Sequence, residues 1–326
     1  MQDSYGRTVH YLRVSVTDRC NLRCTYCRPA SAIEPANHPW VLSYEELLRL
    51  CGLFGSLGFD KFRLTGGEPL VRRDLVPFLS RLRARLPSAS LALTTNGVLL
   101  ARYAEALRLA GLDRVNVSLD SLEPVTFEQI TGFKGLEAVL AGIGAALAQG
   151  FSALKLNVVV MRGVNHEEIP RFVERFAGSP VYVRFIEFMP FGINGWDRER
   201  VYPYASILRD LEARFTLTPR RRDGSGPSRD FDVEGAACRV GIISPLTRSF
   251  CEDCNRLRLT SDGKIRSCLF SEEDVDLRAL LRSGAGDGAI LAAIGQAVAS
   301  KPREHQLSAD TITPSHFTRT MRQVGG

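Results

Sequence analysis

Between residues 12 and 186 two kinds of segment alternate. Short runs dominated by β-branched and other apolar residues, at 12–16, 62–64, 91–94, 115–119, 154–160 and 181–186, predict strands. Longer runs whose apolar residues recur every three or four positions, at 44–57, 75–86, 99–110, 136–149 and 167–176, predict helices. Ser43 followed by Glu46 has the spacing of a capping box, which sets the start of the first helix. About six strand–helix units imply a parallel sheet, hence an α/β fold of the incomplete (β/α)6, TIM-like barrel type. An open doubly wound sheet satisfies the same pattern.

Residues 219–230, rich in Arg, Gly, Ser and Pro, read as a boundary loop. They divide a first domain, 1–218, from a C-terminal region, 219–326. There the pattern changes to short strands: 257–260 and 265–268 flank Ser261-Asp262-Gly263-Lys264, a hairpin signal, and short helices follow at 277–281 and 289–299. No stretch approaches the roughly 18 consecutive apolar residues of a membrane span, and residues 1–10 show no apolar signal region, so a cytosolic location without membrane association is expected.

Charge and cysteine usage sharpen the picture. Lys and Arg total 42 against 36 Asp and Glu, a net charge of +6, which suits a polyanionic small substrate or nucleic acid. No long basic run of the nucleic-acid type is present; the densest patch, Arg220 to Arg222, reads as an exposed loop. Eight cysteines in a reducing compartment point to metal or redox chemistry rather than disulfides. Six fall into two tight groups, while Cys51 and Cys238 stand apart.

The first group, Cys20-x3-Cys24-x2-Cys27, follows the first strand, where the loops of a parallel barrel carry chemistry. Three thiolates can hold three corners of a cubane cluster and leave the fourth iron open. A zinc site would want a fourth ligand, and no Cys or His lies between Cys27 and His38. With Tyr26 before the last cysteine, the group resembles the C-x3-C-x-aromatic-C signature of the radical S-adenosylmethionine (SAM) superfamily. Thr65-Gly66-Gly67-Glu68-Pro69 follows the second strand; its glycines allow backbone to approach a ligand closely. The resemblance implies a 4Fe–4S cluster on Cys20, Cys24 and Cys27. It implies SAM contacts at Tyr26, Gly67, Ser118 in Val117-Ser118-Leu119-Asp120, and Met189 in Phe188-Met189-Pro190.

The second group, Cys251-x2-Cys254-x13-Cys268, fits on spacing alone either zinc, with Cys238 as fourth ligand, or another iron–sulfur cluster. In an extended strand Arg256 and Arg258 project from one face, side by side, which suits phosphate or carboxylate. The stretch Phe250-Cys251-Glu252-Asp253-Cys254-Asn255-Arg256-Leu257-Arg258-Leu259-Thr260 resembles the C-terminal motif of the GTP 3′,8-cyclase family. So do Asp262-Gly263-Lys264, Cys268-Leu269 and the terminal Gly325-Gly326, and the similarity runs from about residue 11 to the end.

That resemblance implies two 4Fe–4S clusters, the second on Cys251, Cys254 and Cys268 with the guanine of GTP at its open iron, and Cys238 outside the set. It implies the first step of molybdenum cofactor biosynthesis: a 5′-deoxyadenosyl radical takes the C3′ hydrogen of GTP, C3′ bonds to C8, and reduction with proton transfer gives (8S)-3′,8-cyclo-7,8-dihydroguanosine 5′-triphosphate. GTP contacts are implied at Arg13, Arg63, Thr94, Lys155, Arg256, Leu257 and Arg258. Charges on strands expected to be buried are costly unless paired, and an anionic substrate would pair them. Catalytic roles are implied for Arg256, Arg258 and the tail, Gly325 and Gly326, which threads the active site in that family; Arg319 and Arg322 stand nearby to steer tail or phosphates. An electron donor, a homodimer, and hand-over of product to the enzyme forming cyclic pyranopterin monophosphate are implied as well. Two rivals stay in view: another two-cluster radical SAM enzyme, and a zinc-stapled nucleic-acid-binding protein.

Overall fold

The computed structural model describes residues 1–27, 38–191, 196–221, 226–305 and 320–325. Six strands, β1 (Tyr11–Ser15), β2 (Lys61–Thr65), β3 (Ser90–Thr95), β4 (Arg114–Ser118), β5 (Ala153–Val160) and β6 (Val181–Glu187), pair in parallel in chain order. Between them run α1 (Tyr44–Ser56), α2 (Leu75–Arg85), α3 (Leu100–Leu109), α4 (Pro124–Thr131), α5 (Leu136–Ala148) and α6 (Ile169–Phe176). The expected capping box closes α1: Glu46 N–H donates to Ser43 Oγ (3.1 Å), and Ser43 N–H donates to Glu46 Oε2 (2.7 Å). The second half of the chain supplies α7 (Tyr204–Glu212), β7 (Leu217–Pro219), β8 (Arg229–Val233), β9 (Arg239–Ile243), β10 (Arg256–Leu259), β11 (Lys264–Arg266), β12 (Val275–Asp276), α8 (Leu277–Arg282) and α9 (Asp287–Ala299).

The later strands do not form a layer of their own. β10 joins β1 in parallel and β9 joins β6 in parallel, so both flanks of the first six strands are extended. Antiparallel pairs then finish each side: β11 and β12 beyond β10, β8 and β7 beyond β9. The twelve strands make one mixed sheet that is not closed into a barrel, with β12 and β7 at its edges. The expected hairpin is present as β10 and β11, with Arg258 opposite Arg266. The 219–230 stretch connects the antiparallel β7 and β8; within it, 222–225 lie outside the described residues.

Strand alternation sorts the side chains into two environments. On β5, Leu154, Leu156, Val158 and Val160 enter the hydrophobic core against the helices, while Lys155, Asn157 and Val159 line a cavity on the other face. β10 does the same, with Leu257 and Leu259 in the core and Arg256 and Arg258 in the cavity. The inner face of the sheet is thus a polar chamber, and the apolar core lies between the sheet and its helices.

Candidate active site

One cavity of 770 Å³ is lined by all six clustered cysteines. That volume falls within the range of small-molecule and cofactor sites. Topology sets the two sulfur groups at opposite ends of the neighbouring strands β1 and β10. Cys20, Cys24 and Cys27 follow the C-terminal end of β1; Cys254 precedes the N-terminal end of β10, which runs parallel to β1 with Tyr11 level with Arg256.

The first sulfur loop is tied down by its backbone. Arg23 N–H donates to Thr131 O (2.9 Å) and Thr25 N–H to Ile130 O (2.8 Å), anchoring it on the end of α4, and Cys27 N–H donates to Cys24 O (3.0 Å). Behind it, Gly67 N–H donates to Thr17 O (2.7 Å) and Glu68 N–H to Arg19 O (2.8 Å). A Cβ on Gly67 would sit 2.3 Å from Arg19 O, and one on Gly66 would sit 2.3 Å from Thr17 O. The close approach expected of these glycines is therefore an approach to the Thr17–Asp18–Arg19 backbone that leads into Cys20. Burial raises the thiol of Cys24 well above its ordinary value, with Asp120 and the other two sulfurs adding to the effect, and pushes that of Cys27 up to about 12. Soft thiolate donors suit iron–sulfur clusters, so these three sulfurs have the right chemistry for one.

The expected SAM-contacting residues come together here. Tyr26, Gly67, Ser118 and Met189 all line the cavity on the side of the first sulfur loop. The Tyr26 hydroxyl donates to Asp120 Oδ2 (2.7 Å), and Asp120 Oδ1 accepts from Val159 N–H (2.9 Å). Glu68 is buried and accepts from Leu70 N–H (3.0 Å), Thr95 Oγ1 (2.8 Å) and Asn96 N–H (2.6 Å). Asn96 in turn donates from Nδ2 to Asn21 Oδ1 (2.8 Å) and faces Cys20 Sγ at 3.8 Å. Glu68 and Asp120 stand within the quoted strand-end motifs, though no role was read for either side chain, and Asn96 carried no functional signal in the sequence.

The cations also converge. Arg258, Arg13 and Arg63 are register partners on the adjacent strands β10, β1 and β2, and Thr94, Asn116 and Lys155 are register partners on β3, β4 and β5. All six line the cavity, as does Arg184 of β6. Burial lowers the Arg13 guanidinium to about 10 and the Lys155 ammonium to about 7, the latter helped by Arg184 and Arg63. Cations buried together in this way are suited to a polyanion that neutralises them. Leu257 differs from the expectation for its neighbours, because its side chain packs in the core on the opposite face of β10. Arg220, paired with Asp232 at 2.9 Å, and Arg221 also line the cavity; Arg222 lies outside the described residues.

The chain end enters the same space. Val324 O accepts from Arg258 Nη1 and Gly325 O from Arg13 Nη2, each at 3.4 Å, while the Arg322 backbone hydrogen-bonds the Cys27 sulfur. A Cβ on Gly325 would lie 3.2 Å from Ser15 Cβ and 3.3 Å from Thr65 Oγ1, and its φ is +83°. Gly326 and Arg319 lie outside the described residues.

At the N-terminal end of β10, Cys254 N–H donates to Cys251 O (3.1 Å), and Cys251, Cys254 and Cys268 feel one another's charge. Burial opposes ionisation of Cys254, but Arg256 and Lys301 outweigh it and bring the thiol down to about 6. Lys301 and His305, both beside these sulfurs, were not anticipated from sequence. Cys238 is buried in the core with its sulfur 3.9 Å from Val173 O, so it does not complete a four-cysteine site. Cys51 is likewise a core residue.

Residues 14–176 match the Radical SAM superfamily model, and residues 181–307 match the Molybdenum Cofactor Synthesis C model. The chain is 47% identical over 327 residues to GTP 3′,8-cyclase of Geobacter sulfurreducens, with 99% of each chain covered. It is 42% identical to the mitochondrial GTP 3′,8-cyclase of Arabidopsis thaliana, covering 99% of this chain and 83% of that protein. Among solved structures, histidine-tagged anSMEcpe with bound AdoMet shares the fold, with a TM-score of 0.51 at 17% identity over 62% of this chain and 57% of that one.

Proposed function

This chain belongs to the GTP 3′,8-cyclase family of radical SAM enzymes, and from that we propose that it converts GTP to 3′,8-cyclo-7,8-dihydro-GTP, the first step of molybdenum cofactor biosynthesis. Membership in the superfamily brings SAM and a 4Fe–4S cluster, for which Cys20, Cys24 and Cys27 are the ligands we assign. A second 4Fe–4S cluster is assigned to Cys251, Cys254 and Cys268. When bound, the first cluster together with SAM supplies a carbon radical strong enough to take an unactivated ribose hydrogen.

The observation that carries the reading is that a single cavity joins both sulfur groups across a row of half-buried cations. Arg258, Arg13 and Arg63, with Lys155 and Thr94 opposite, hold the triphosphate. They fix the ribose toward the first sulfur group and the base toward the second. Arg256 stands between the substrate and Cys254. Asp120 orients Tyr26 beside SAM, and Glu68 holds Thr95 and Asn96 around it. The Gly325 backbone packs on Ser15 and Thr65 at the strand ends. An external reductant supplies the electrons, and the product passes to an enzyme that rearranges it to cyclic pyranopterin monophosphate; a homodimer is the expected assembly.

The test is anaerobic turnover of reconstituted protein with SAM, dithionite and GTP, read by mass spectrometry. 5′-Deoxyadenosine together with a cyclised GTP supports the assignment. 5′-Deoxyadenosine alone keeps the reaction class and discards the substrate. Neither product from a protein loaded with iron overturns the proposal.

A further inference from the structure

Lys301 lies just beyond the end of α9 and is 2% exposed. Its ammonium donates to Arg256 O at 3.0 Å and to Ser267 O at 2.6 Å, and it also hydrogen-bonds the Cys254 sulfur. An ammonium has three donors, and these three acceptors use all of them. The acceptors are not scattered. Arg256 follows Cys254 by two positions and Ser267 precedes Cys268, so one side chain clasps both segments that carry the second sulfur group.

Two carbonyls alone would not explain a charge. Among the described residues no carboxylate lies within ion-pair distance of Lys301. A buried ammonium without a counter-charge is strongly unfavourable. The anionic groups within its reach are the sulfurs, since its field acts on both Cys254 and Cys268. The two sulfur groups therefore differ in the balance of charge around them. The acids Glu68 and Asp120 bear on Cys20 and Cys24, with Arg322 as the cation beside Cys20 and Cys27, whereas Lys301, Arg256 and His305 bear on the second group.

We propose that Lys301 is a positioning residue of the second cluster, whose buried ammonium is the charge partner of Cys254 and raises the cluster's reduction potential. This rests on the assignment of a second 4Fe–4S cluster to Cys251, Cys254 and Cys268. Adding one electron to a thiolate-bound cluster adds one negative charge. A fixed cation at hydrogen-bonding distance stabilises that reduced form over the oxidised one, the more so away from water.

The experiment is an EPR-monitored redox titration of the full-length protein in a Cys24→Ala background, which leaves the second cluster as the iron site, with iron and sulfide measured on each sample. Lys301→Gln keeps a donor without the charge, and Lys301→Arg keeps the charge. At a fixed potential within the transition, Lys301→Gln is expected to lower the reduced-to-oxidised ratio at least tenfold, about 59 mV for a one-electron couple, and Lys301→Arg to restore most of it. Iron lost in Lys301→Gln and regained in Lys301→Arg supports the same role through occupancy. An unmoved ratio in Lys301→Gln with about four iron atoms retained per chain, or Lys301→Arg no better than Lys301→Gln, overturns the inference and leaves the second cluster standing. A Cys24→Ala protein with no iron removes the second cluster, and this inference with it.

Discussion

Gly67→Ala tests whether the glycine pair serves the sulfur loop. The new Cβ would lie 2.3 Å from Arg19 O, 2.6 Å from Arg19 C and 2.8 Å from Asp18 O. All three are main-chain atoms, so no side chain can swing aside. Ordinary carbon contacts need about 3.5 Å, which means the Asp18–Arg19 backbone must retreat by about 1 Å. That retreat strains or breaks the bonds from Gly67 N–H to Thr17 O and from Glu68 N–H to Arg19 O, now 2.7 and 2.8 Å long. Overpacking costs about 1–3 kcal/mol, and each backbone group left buried without a partner adds about 1–3 kcal/mol. With one of the two bonds lost, a total on the order of 2–6 kcal/mol follows, too little to unfold most large domains outright. It is concentrated on the residue before Cys20. We therefore expect a protein that folds but holds the first cluster poorly: iron per chain falls by about half and SAM cleavage is lost. Gly163→Ala is the control, since its Cβ would meet nothing within 4 Å although φ is +73°; it should cost about 1 kcal/mol and keep its iron. A Gly67→Ala protein with full iron and a wild-type rate of SAM cleavage would refute the reasoning.

Three further outcomes are expected. Lys155 titrates at about 7 because burial, Arg184 and Arg63 all disfavour its charged form. The ammonium that GTP prefers is present below that pH and lost above it, so GTP affinity should fall up to about tenfold per unit between pH 7.5 and 9; calorimetry showing the same slope in Lys155→Gln would assign the effect elsewhere. Cys24→Ala should abolish SAM cleavage, while Cys254→Ala should keep uncoupled cleavage and lose GTP turnover; 5′-deoxyadenosine and cyclised product are the readouts, and normal cyclisation by Cys254→Ala would remove the second sulfur group from the reaction. Gly325→Ala meets both a left-handed φ and neighbours at 3.2 and 3.3 Å. It should leave thermal stability within about 1 kcal/mol of wild type and reduce product formation at least tenfold; full turnover would make the described tail contacts incidental.

Much of the site was legible because its signals are local. Cys20, Cys24 and Cys27 sit within one loop, and Arg256 and Arg258 alternate along one strand, so spacing alone states which side chains share a face. The helices over α1 to α3 and α5 followed from periodicity, and Ser43 with Glu46 marked a real cap. α4 and α7 were missed because each is short, with Pro124 opening one and Pro203 preceding the other, and neither repeats its apolar pattern for long.

What the sequence by itself determined was the chemistry available: two sets of three thiols, a parallel strand–helix core, and cations placed on strands. Which groups meet was decided by the tertiary structure. Only the parallel docking of β10 on β1 puts Arg258 level with Arg13 and Arg63, and only that docking turns two cysteine motifs more than 220 residues apart into the two ends of one cavity. Strand order, the inward path of the tail, and the clasp of Lys301 on Arg256 O and Ser267 O have no local pattern to betray them. They arise because buried cations, backbone groups and sulfurs must each find a partner out of water, and those partners lie far away along the chain.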